Sequence, residues 1–448
     1  MKNILLLGAG KSSAALIRFL LNESEKENLI ITIADLSADA ALKKAGNHPN
    51  ARAIALDIND AVRRMKAIQT SDLVISLLPP DLHILAANDC LEAGRHLITA
   101  SYVSESIKAL DERAQEKNIV LMNECGLDPG IDHMSAMKLI HQIKEEGGVI
   151  ESFRSYTGGL IAPESNNNPW GYKFTWNPRN VILAGKEGAV YLENGTEKKL
   201  SYYDVFDQAE SISIDEYGNF DAYANRNSES YIEPYGLHGV KTLLRGTLRN
   251  HGFCNAWKVF VKLGLTDDQE IIESDGSLTW AQLVNRLIPS GIKADSTIKR
   301  VAFYCGLHEK DESLKRVQWT GVFDENVLPF PKATAARNLQ QLLERKWKLE
   351  EGDKDMIVMH HEIIFKDKNG QQTKRLSSLV VKGEDSNLTA MAKTVGLPLG
   401  ITAMLILKKE INLKGVLIPV MPEVYNPVLT ELGNQGIIFR EEESLLPV

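Results

Sequence analysis

The first 35 residues contain two glycines and an aspartate at a recognisable spacing. Lys2–Leu7 form a mostly apolar run, Gly8 and Gly10 follow it directly, and Asp35 ends a second apolar run that begins at Leu29. Gly8 would let the backbone turn tightly, and Gly10 would let it approach a pyrophosphate at the N-terminus of the following helix. Asp35 would accept hydrogen bonds from ribose hydroxyls. The pattern predicts a dinucleotide site.

Two details of this segment bear on that prediction. Ser13 replaces the third glycine of the G-x-G-x-x-G pattern, but it is small enough for the helix and strand to pack closely. Gly10, Lys11 and Ser12 also match the end of a P-loop, which requires a glycine five residues before Gly10. Leu5 occupies that position inside the apolar run, so a P-loop is excluded.

The first 125 residues alternate between apolar runs and helical patterns. Gly46 and Gly94 lie where glycines commonly end helices. Six short apolar strands separated by helices predict a doubly wound parallel-sheet Rossmann domain of the α/β class, covered on both faces. The predicted strands are 2–7, 29–35, 51–56, 72–78, 96–100 and 118–123, and the predicted helices are 12–22, 38–45, 59–69, 83–93 and 105–117.

Ligands of such a sheet bind at the carboxyl ends of its strands. The residues that follow the predicted strands are therefore the expected cofactor contacts. Besides the two glycines, they are Lys11, Ser12, Ser13, Asp35, Leu36, Asp57, Ile58, Leu78, Pro79, Ala100 and Ser101.

The residues after the second strand favour NAD over NADP. An NADP site places a cation near the end of this strand, where it faces the 2′-phosphate. This chain has Asp35, Leu36 and Ser37 there, and the next cations, Lys43 and Lys44, lie on the following predicted helix. A carboxylate would repel the phosphate, so the sequence predicts NAD. The alternative role for Asp35 is a solvated carboxylate or a helix cap.

Composition and charge limit the classes of function. With 448 residues, 44% hydrophobic and 25% charged, the chain has the composition of a globular protein of two or three domains. Its net charge of −8 argues against nucleic acid and anionic membranes as partners. We expect no membrane span, because no apolar run reaches ~18 residues, and no signal peptide, because the first strand begins at Lys2. These observations favour a cytoplasmic protein.

The cysteines and histidines predict no metal site. Cys90, Cys125, Cys254 and Cys305 form no C-x-x-C pair, as is typical of reduced thiols in a cytosolic enzyme. His360–Glu362 lack a further histidine at metalloprotease spacing.

The pattern changes beyond residue 150. Residues 150–156 alternate like an antiparallel strand, and 158–180 have the composition of a long loop. Residues 236–350 are predicted to be mainly helical. Strands are expected at 356–360 and 377–381 around a turn at 368–370, and a helix is expected over 390–409, interrupted at 396–398.

Several motifs spread over nearly the whole chain form a specific combination. They are Leu97–Val103, Asn123–His133, Ser155–Gly159, Pro169–Pro178, Asn225–Ser228, Arg245–Arg249, Met359–Glu362 and Met391–Pro398. Together they closely resemble the saccharopine reductase family. These are the glutamate-forming saccharopine dehydrogenases, which also occur as one half of bifunctional lysine-degrading enzymes.

The resemblance implies a reaction and a domain organisation. The reaction would be oxidation of saccharopine to glutamate and 2-aminoadipate 6-semialdehyde, or its reverse, in lysine metabolism. The chain would comprise a Rossmann domain (1–128), an α/β substrate and dimerisation domain (129–235 and 351–388), a helical insertion (236–350), and a C-terminal segment (389–448) that packs toward the Rossmann domain. A homodimer is expected.

Saccharopine carries three carboxylates, so its site needs cations. Arg226 and Arg245 are the best candidates, because guanidinium binds a carboxylate through two hydrogen bonds. The alternative for each is a surface ion pair, and their position in motif-matching loops favours binding. Ser101 and Tyr102 match family substrate contacts, and Thr247 would add a hydroxyl from the second loop.

Asp128 has two compatible interpretations. Followed by Pro129, it suits a helix N-terminus, with the aspartate as N-cap and the proline at the first helical position. The resemblance places Leu127, Asp128 and Pro129 near the nicotinamide, and makes Asp128 and Tyr102 candidates for proton transfer. Thr157 stands where relatives often have cysteine.

Two other functions are considered. A dehydrogenase of another secondary amine, such as a carboxylated polyamine, would need more carboxylates and fewer arginines than these motifs carry. A non-catalytic NAD-binding regulator would be expected to lose the motifs of the second domain, which are all present.

Overall fold

The polypeptide forms two units, one of which is inserted into the sequence of the other. A computed structural model describes residues 1–447. Unit 1 contains Met1–Ile150 and the chain from Phe365 onward, whereas unit 2 contains Glu151–Ile364. The finer division expected from the sequence, with boundaries at 128, 235, 350 and 388, remains a prediction.

The N-terminal part of unit 1 alternates strands and helices as predicted. The strand boundaries agree with the prediction to within two residues, the first helix extends further, and the predicted helix 105–117 is two short helices. The elements are β1 (Lys2–Leu7), α1 (Ser13–Glu27), β2 (Leu29–Asp35), α2 (Ala38–Ala45), β3 (Ala51–Ala55), α3 (Ala61–Gln69), β4 (Leu73–Ser76), α4 (His83–Ala93), β5 (His96–Thr99), α5 (Glu105–Lys108), α6 (Asp111–Glu116), β6 (Val120–Met122) and α7 (Ile131–Glu145).

Unit 2 contains a mixed sheet and a group of helices. Its elements are β7 (Val149–Ile161), α8 (Pro178–Ile182), β8 (Ala189–Glu193), β9 (Thr196–Leu200), α9 (Tyr202–Val205), β10 (Glu210–Ile214), β11 (Gly218–Ala224), β12 (Arg226–Asn227), α10 (Ile232–Tyr235), β13 (Thr242–Asn250), α11 (Phe253–Lys262), β14 (Ile271–Glu273), α12 (Trp280–Leu287), α13 (Thr297–Cys305), α14 (Glu312–Thr320), β15 (Lys332–Thr334), α15 (Ala335–Lys346) and β16 (Asp355–Lys366). The sheet order is β10-β11-β13-β7-β16, and β8 pairs with β9, β12 and β13.

Three predictions for unit 2 are corrected by these elements. In its pairing with β13, β7 is parallel, whereas an antiparallel strand was expected, because alternation reports two unlike faces and not a strand direction. β7 also continues to Ile161, into the predicted loop. β13 lies inside the stretch predicted to be helical. Its residues Thr242–Gly246 are buried, so a strand covered on both faces gives little alternation.

The C-terminal part of unit 1 supplies one further strand, β18, to its parallel sheet. The elements of this part are β17 (Gln372–Lys382), α16 (Ala390–Leu407), β18 (Gly415–Leu417), α17 (Pro422–Asn434) and β19 (Arg440–Leu445), and β17 and β19 pair with each other antiparallel. The sheet order is β18-β6-β5-β4-β1-β2-β3, and every pairing is parallel. The predicted doubly wound fold is confirmed. The strand order reverses between β1 and β4, which is where such sheets bind ligands.

α16 differs from the sequence prediction in two ways. It is continuous through Pro398, because its glycines let it pack closely: a Cβ on Gly396 would lie 2.9 Å from the Leu16 nitrogen of α1. By length and composition it could also cross a membrane, with a mean hydropathy of 1.7 over 18 residues, contrary to our expectation. Most of it is buried inside the protein, as in the core helix of a globular fold.

Candidate active site

The turn after β1 has the geometry expected of a phosphate-binding glycine loop. Gly8 has a φ of +104°, and its N–H donates to the carbonyl of Ala34 at 2.8 Å. A Cβ at Gly8 would lie 3.1 Å from the carbonyl oxygen of Leu77, in the loop after β4. A Cβ at Gly10 would meet no described atom within 4 Å beyond its neighbours, so this side of the turn is open.

The turn leads directly into the N-terminus of α1. Ser13 is buried and its hydroxyl donates to the carbonyl of Gly10 at 2.8 Å, which closes the turn against the helix. Ser12 occupies the N-cap position and Lys11 is exposed. The first N–H groups of α1 therefore lie beside the open side of the turn, where they suit an anion.

Asp35 braces the glycine turn from the end of β2. One carboxylate oxygen, Oδ2, accepts a hydrogen bond from the N–H of Ala9 at 2.8 Å. The other, Oδ1, accepts from the N–H of Ser37 at 3.0 Å, at the N-cap of α2. Leu36, between them, is 75% exposed. Asp35 thus joins the ends of β1 and β2, a role that sequence reasoning did not identify.

The other predicted cofactor residues lie at the same edge of the sheet, because each follows a parallel strand. Asp57 accepts hydrogen bonds from the backbone and side chain of Asn59, and Ile58 is buried. Leu78 is half-buried and Pro79 is exposed. Ala100 lies against a second turn, since a Cβ on Gly126 would approach its Cβ to 2.8 Å.

That second turn corrects the helix-cap interpretation of Asp128. α7 begins at Ile131 with Gly130 in the N-cap position, so Asp128 and Pro129 precede the helix. They form a tight turn with a cis peptide bond, closed by a hydrogen bond from Gly126 N–H to the Pro129 carbonyl at 3.0 Å. The turn buries Leu127 and Pro129 and leaves Asp128 exposed.

The two predicted proton-transfer residues are neighbours. The hydroxyl of Tyr102 lies 3.5 Å from Oδ1 of Asp128, at the outer limit of a hydrogen bond. Tyr102 follows β5 and Asp128 follows β6, so adjacent parallel strands bring them together.

A buried polar cluster lies beneath Ser101. His83, the first residue of α4, is 2% exposed, with Nδ1 2.8 Å from the hydroxyl of Ser76 and Nε2 2.8 Å from that of Ser101. The hydroxyl of Thr99 lies 3.2 Å from Nε2 and accepts the N–H of Ser101 at 3.3 Å. Burial lowers the pKa of His83 to about 4, so the imidazole is neutral at physiological pH. No motif in the sequence singled out this histidine.

Glu124 anchors the segment that carries Ser101 and Tyr102. It is buried and has a φ of +56°, which is uncommon for a residue with a side chain. Its N–H donates to the carbonyl of Ser101 at 3.0 Å, and Oε1 accepts the N–H of Val103 at 3.0 Å. Oε2 lies 2.8 Å from Nε2 of His133. Both residues belong to the motif Asn123–His133, which was the available signal.

Unit 2 brings the two predicted substrate arginines into one region. Arg245 is buried in β13, with its guanidinium 4.1 Å from the centroid of the Tyr231 ring. Its N–H donates to the hydroxyl of Ser228 at 2.8 Å, and its carbonyl accepts the N–H of Asn225 at 2.9 Å. Arg226, exposed with a φ of +57°, lies between these contacts. The predicted loops are therefore strands β12 and β13.

Thr247 lies on the same face of β13 as Arg245, two residues along the strand. In the sheet register, Arg245 is opposite Ser155 of β7, and Thr247 is opposite Thr157. Nδ1 of His361 in β16 lies 3.0 Å from the Ser155 hydroxyl. Three strands thus present arginine, hydroxyl and imidazole groups on one face of the sheet.

Comparison with known proteins decides the family. A sequence model of the saccharopine dehydrogenase C-terminal domain matches residues 126–437, and one of the saccharopine dehydrogenase NADP binding domain matches residues 4–122. The saccharopine dehydrogenase (NADP+, L-glutamate-forming) of Schizosaccharomyces pombe is 34% identical over 99% of both chains. The chain belongs to the saccharopine dehydrogenase family.

Two further members of this family show how the chain aligns. The apo structure of saccharopine dehydrogenase (L-Glu forming) from Saccharomyces cerevisiae matches with a TM-score of 0.90 and 31% identity, over 99% of this chain and 100% of that one. The mitochondrial alpha-aminoadipic semialdehyde synthase of Bos taurus is 34% identical over 99% of this chain, which spans only 48% of that enzyme.

The same comparisons overturn the predicted preference for NAD. The matching N-terminal domain is described as NADP binding, and the fungal relatives are named as NADP+ enzymes. The structure supplies a physical reason for the error. Both oxygens of Asp35 accept backbone N–H groups, from Ala9 and Ser37, so the carboxylate holds the loops and its charge is partly compensated. A strand-end aspartate alone was insufficient evidence for NAD.

Proposed function

We propose that this protein is an NADP-dependent saccharopine dehydrogenase of the glutamate-forming type. The observation that carries the proposal is that Asn225 and Ser228, on either side of Arg226, are hydrogen-bonded to the main chain of Arg245 in unit 2. The protein has a net charge of −8, so it needs a local cationic site to bind a tricarboxylate. Guanidinium groups supply that site.

The edge of the parallel sheet fits the dinucleotide. The open turn at Gly10 and the N-terminus of α1 suit the pyrophosphate. Lys11 and the exposed residues that follow β2, Leu36 and Ser37, are the proposed surroundings of the adenosine ribose and its 2′-phosphate. The remaining proposed contacts are Gly8, Ser12, Ser13, Asp35, Asp57, Ile58, Leu78, Pro79, Ala100, Ser101, Leu127, Asp128 and Pro129.

In the proposed reaction, saccharopine and water give glutamate and 2-aminoadipate 6-semialdehyde. When bound, NADP+ supplies the hydride acceptor at nicotinamide C4. A hydride leaves the carbon beside the secondary amine and the amine loses a proton, which forms an imine. Addition of water and cleavage of the carbon–nitrogen bond then release the two products. Each saccharopine oxidised therefore yields one NADPH and one proton.

The roles of individual residues follow from their positions. Arg226, Arg245 and Thr247 would hold substrate carboxylates from the sheet of unit 2. Ser101 and Tyr102 would form hydrogen bonds with the substrate. Asp128, exposed beside Tyr102, is the proposed acceptor of the amine proton.

We further propose a cytoplasmic homodimer. The four cysteines are free thiols in the structure, which suits a reducing compartment. The dimer rests on the family resemblance, in which the domain that carries the substrate contacts also forms the interface.

A steady-state assay tests the proposal. We expect purified protein to reduce NADP+ when saccharopine is present, and to do so with a higher kcat/KM than with a carboxylated polyamine adduct. Turnover of the polyamine adduct but not of saccharopine would assign the other secondary-amine substrate. Binding of NADP+ without turnover of either would indicate a non-catalytic protein.

A further inference from the structure

The cluster beneath Ser101 is built inside unit 1 from residues that cannot themselves reach a ligand. Ser76, His83 and Thr99 are 0%, 2% and 1% exposed, whereas Ser101 is half-buried at the ligand-binding edge of the sheet. A chain of short contacts, 2.8 Å from Ser76 to His83 and 2.8 Å from His83 to Ser101, joins the interior to that edge.

We propose that His83 is a positioning residue that sets the hydroxyl of Ser101 for the substrate. The inference rests on the proposed function, in which Ser101 contacts saccharopine. His83 touches neither substrate nor cofactor and acts only through this serine.

Hydrogen bonds fix the main-chain N–H and carbonyl of Ser101, so the orientation of its hydroxyl is the remaining degree of freedom. The N–H donates to the Thr99 hydroxyl at 3.3 Å, and the carbonyl accepts the N–H of Glu124 at 3.0 Å. A serine hydroxyl has three staggered orientations and one hydrogen that rotates freely. Contact with Nε2 of His83 selects one orientation of the side chain. It also engages either the hydroxyl hydrogen or one oxygen lone pair in a hydrogen bond with the imidazole.

Because His83 is neutral, its two ring nitrogens have different hydrogen-bonding roles. Burial keeps the imidazole uncharged at physiological pH, so one ring nitrogen donates and the other accepts. Ser76 lies at Nδ1, whereas Ser101 at 2.8 Å and Thr99 at 3.2 Å lie at Nε2, so the hydroxyls on the two sides of the ring have complementary roles. The tautomer of His83 decides whether Ser101 offers the substrate a donor or an acceptor.

Two substitutions of matched polarity separate positioning from packing. The amide of His83→Gln extends about as far as Nε2 and can still bond to Ser101. The amide of His83→Asn extends only about as far as Nδ1, so it keeps the hydrogen bond with Ser76 and loses the one with Ser101. His96→Gln is the control, because His96 is a half-buried histidine of β5 whose Nδ1 accepts the N–H of Val120 at 3.0 Å.

The experiment measures kcat and KM for saccharopine and the thermal midpoint of each variant, alone and combined with Ser101→Ala. We expect His83→Asn to lower kcat/KM about tenfold, and His83→Gln and His96→Gln to stay within about threefold of the parent. In the Ser101→Ala background, His83→Asn should change kcat/KM by less than about twofold.

Three results would overturn the inference. Equal losses of kcat/KM in the Asn and Gln variants would show a packing role for His83. If His83→Asn lowered kcat/KM as strongly in the Ser101→Ala background as in the parent, His83 would act through another residue. Full activity of His83→Asn would show that the contact is unnecessary. A parent enzyme that does not oxidise saccharopine would instead overturn the proposed function, and this inference with it.

Discussion

Arg245 is a buried cation in an acidic protein. Its guanidinium stacks on Tyr231 at 4.1 Å, and its backbone is bound to the segment that carries Arg226. Burial of a charged side chain is costly unless other groups compensate it, so such residues are usually retained for binding or structure. Its position on the polar face of β13 favours binding.

Replacing either arginine should damage saccharopine use and spare the cofactor. Each of Arg226→Ala and Arg245→Ala removes a charge-assisted bond to a carboxylate, which contributes about 1.5–3 kcal/mol. We expect the KM for saccharopine to rise about tenfold or more, with the Kd for NADP+ unchanged. Arg179→Ala, which removes a pair with Asp268 in the same unit, should leave both constants unchanged. Unchanged saccharopine kinetics in both test variants would place the carboxylate site elsewhere.

Asp35 should matter for binding either nucleotide. Asp35→Ala removes the acceptor of the Ala9 and Ser37 N–H groups, so the glycine turn and the start of α2 lose their shared anchor. We expect the Kd values for NADP+ and NAD+ to rise together by about tenfold, since each lost bond to a charged group is worth about 1.5–3 kcal/mol. Fluorescence titration measures both, with Asp39→Ala in α2 as the control. A change confined to one nucleotide would contradict the bracing role.

The limits of sequence reasoning at this scale are visible in single residues. Gly8 could be assigned from spacing alone, because its tight turn is local. The partners of Asp35 and His83 could not, since Ala9 and Ser101 lie 26 and 18 residues away and only the assembled sheet brings them together. A lone histidine at the start of an apolar helix has no sequence signature of such a contact.

At the scale of elements, local patterning decided which predictions succeeded. The strands β1–β6 of the parallel sheet were predicted because short, mostly apolar runs are bounded by clear turn residues. β13 was missed because Arg245, Gly246 and Thr247 interrupt its apolar pattern, although the sheet buries both of its faces. α16 was predicted to be interrupted at 396–398, but it is continuous and packs closely on α1.

The close packing of α16 on α1 gives a stability prediction. A Cβ on Gly396 would lie 2.9 Å from the backbone nitrogen of Leu16, which cannot move without shifting α1. We expect Gly396→Ala to reduce the free energy of unfolding by about 1–3 kcal/mol. A Cβ at Gly433 in α17 would lie more than 4 Å from every described atom outside its chain neighbours and helix backbone. Gly433→Ala should therefore leave the free energy of unfolding unchanged or raise it by up to about 1 kcal/mol. Urea unfolding measures both. Equal stability of the two variants would contradict the packing.

At the scale of the whole molecule, the order of the chain hides how unit 1 is assembled. The sheet that begins at Lys2 is completed by β18, which pairs in parallel with β6. Along the chain, the residues of unit 2 lie between these two strands. A three-residue strand nearly 300 residues from its partner carries no local signal, and the β18–β6 pairing emerged only from the three-dimensional fold. Motif resemblance over the full chain, by contrast, identified the family.

Identification of the amino-acid product tests the central claim most directly. Purified protein incubated with saccharopine and NADP+ is analysed by mass spectrometry while NADPH formation is followed by absorbance. We predict glutamate in an amount equal to the NADPH formed, together with 2-aminoadipate 6-semialdehyde. Release of lysine and 2-oxoglutarate, or NADPH formation without glutamate, would contradict the proposed function.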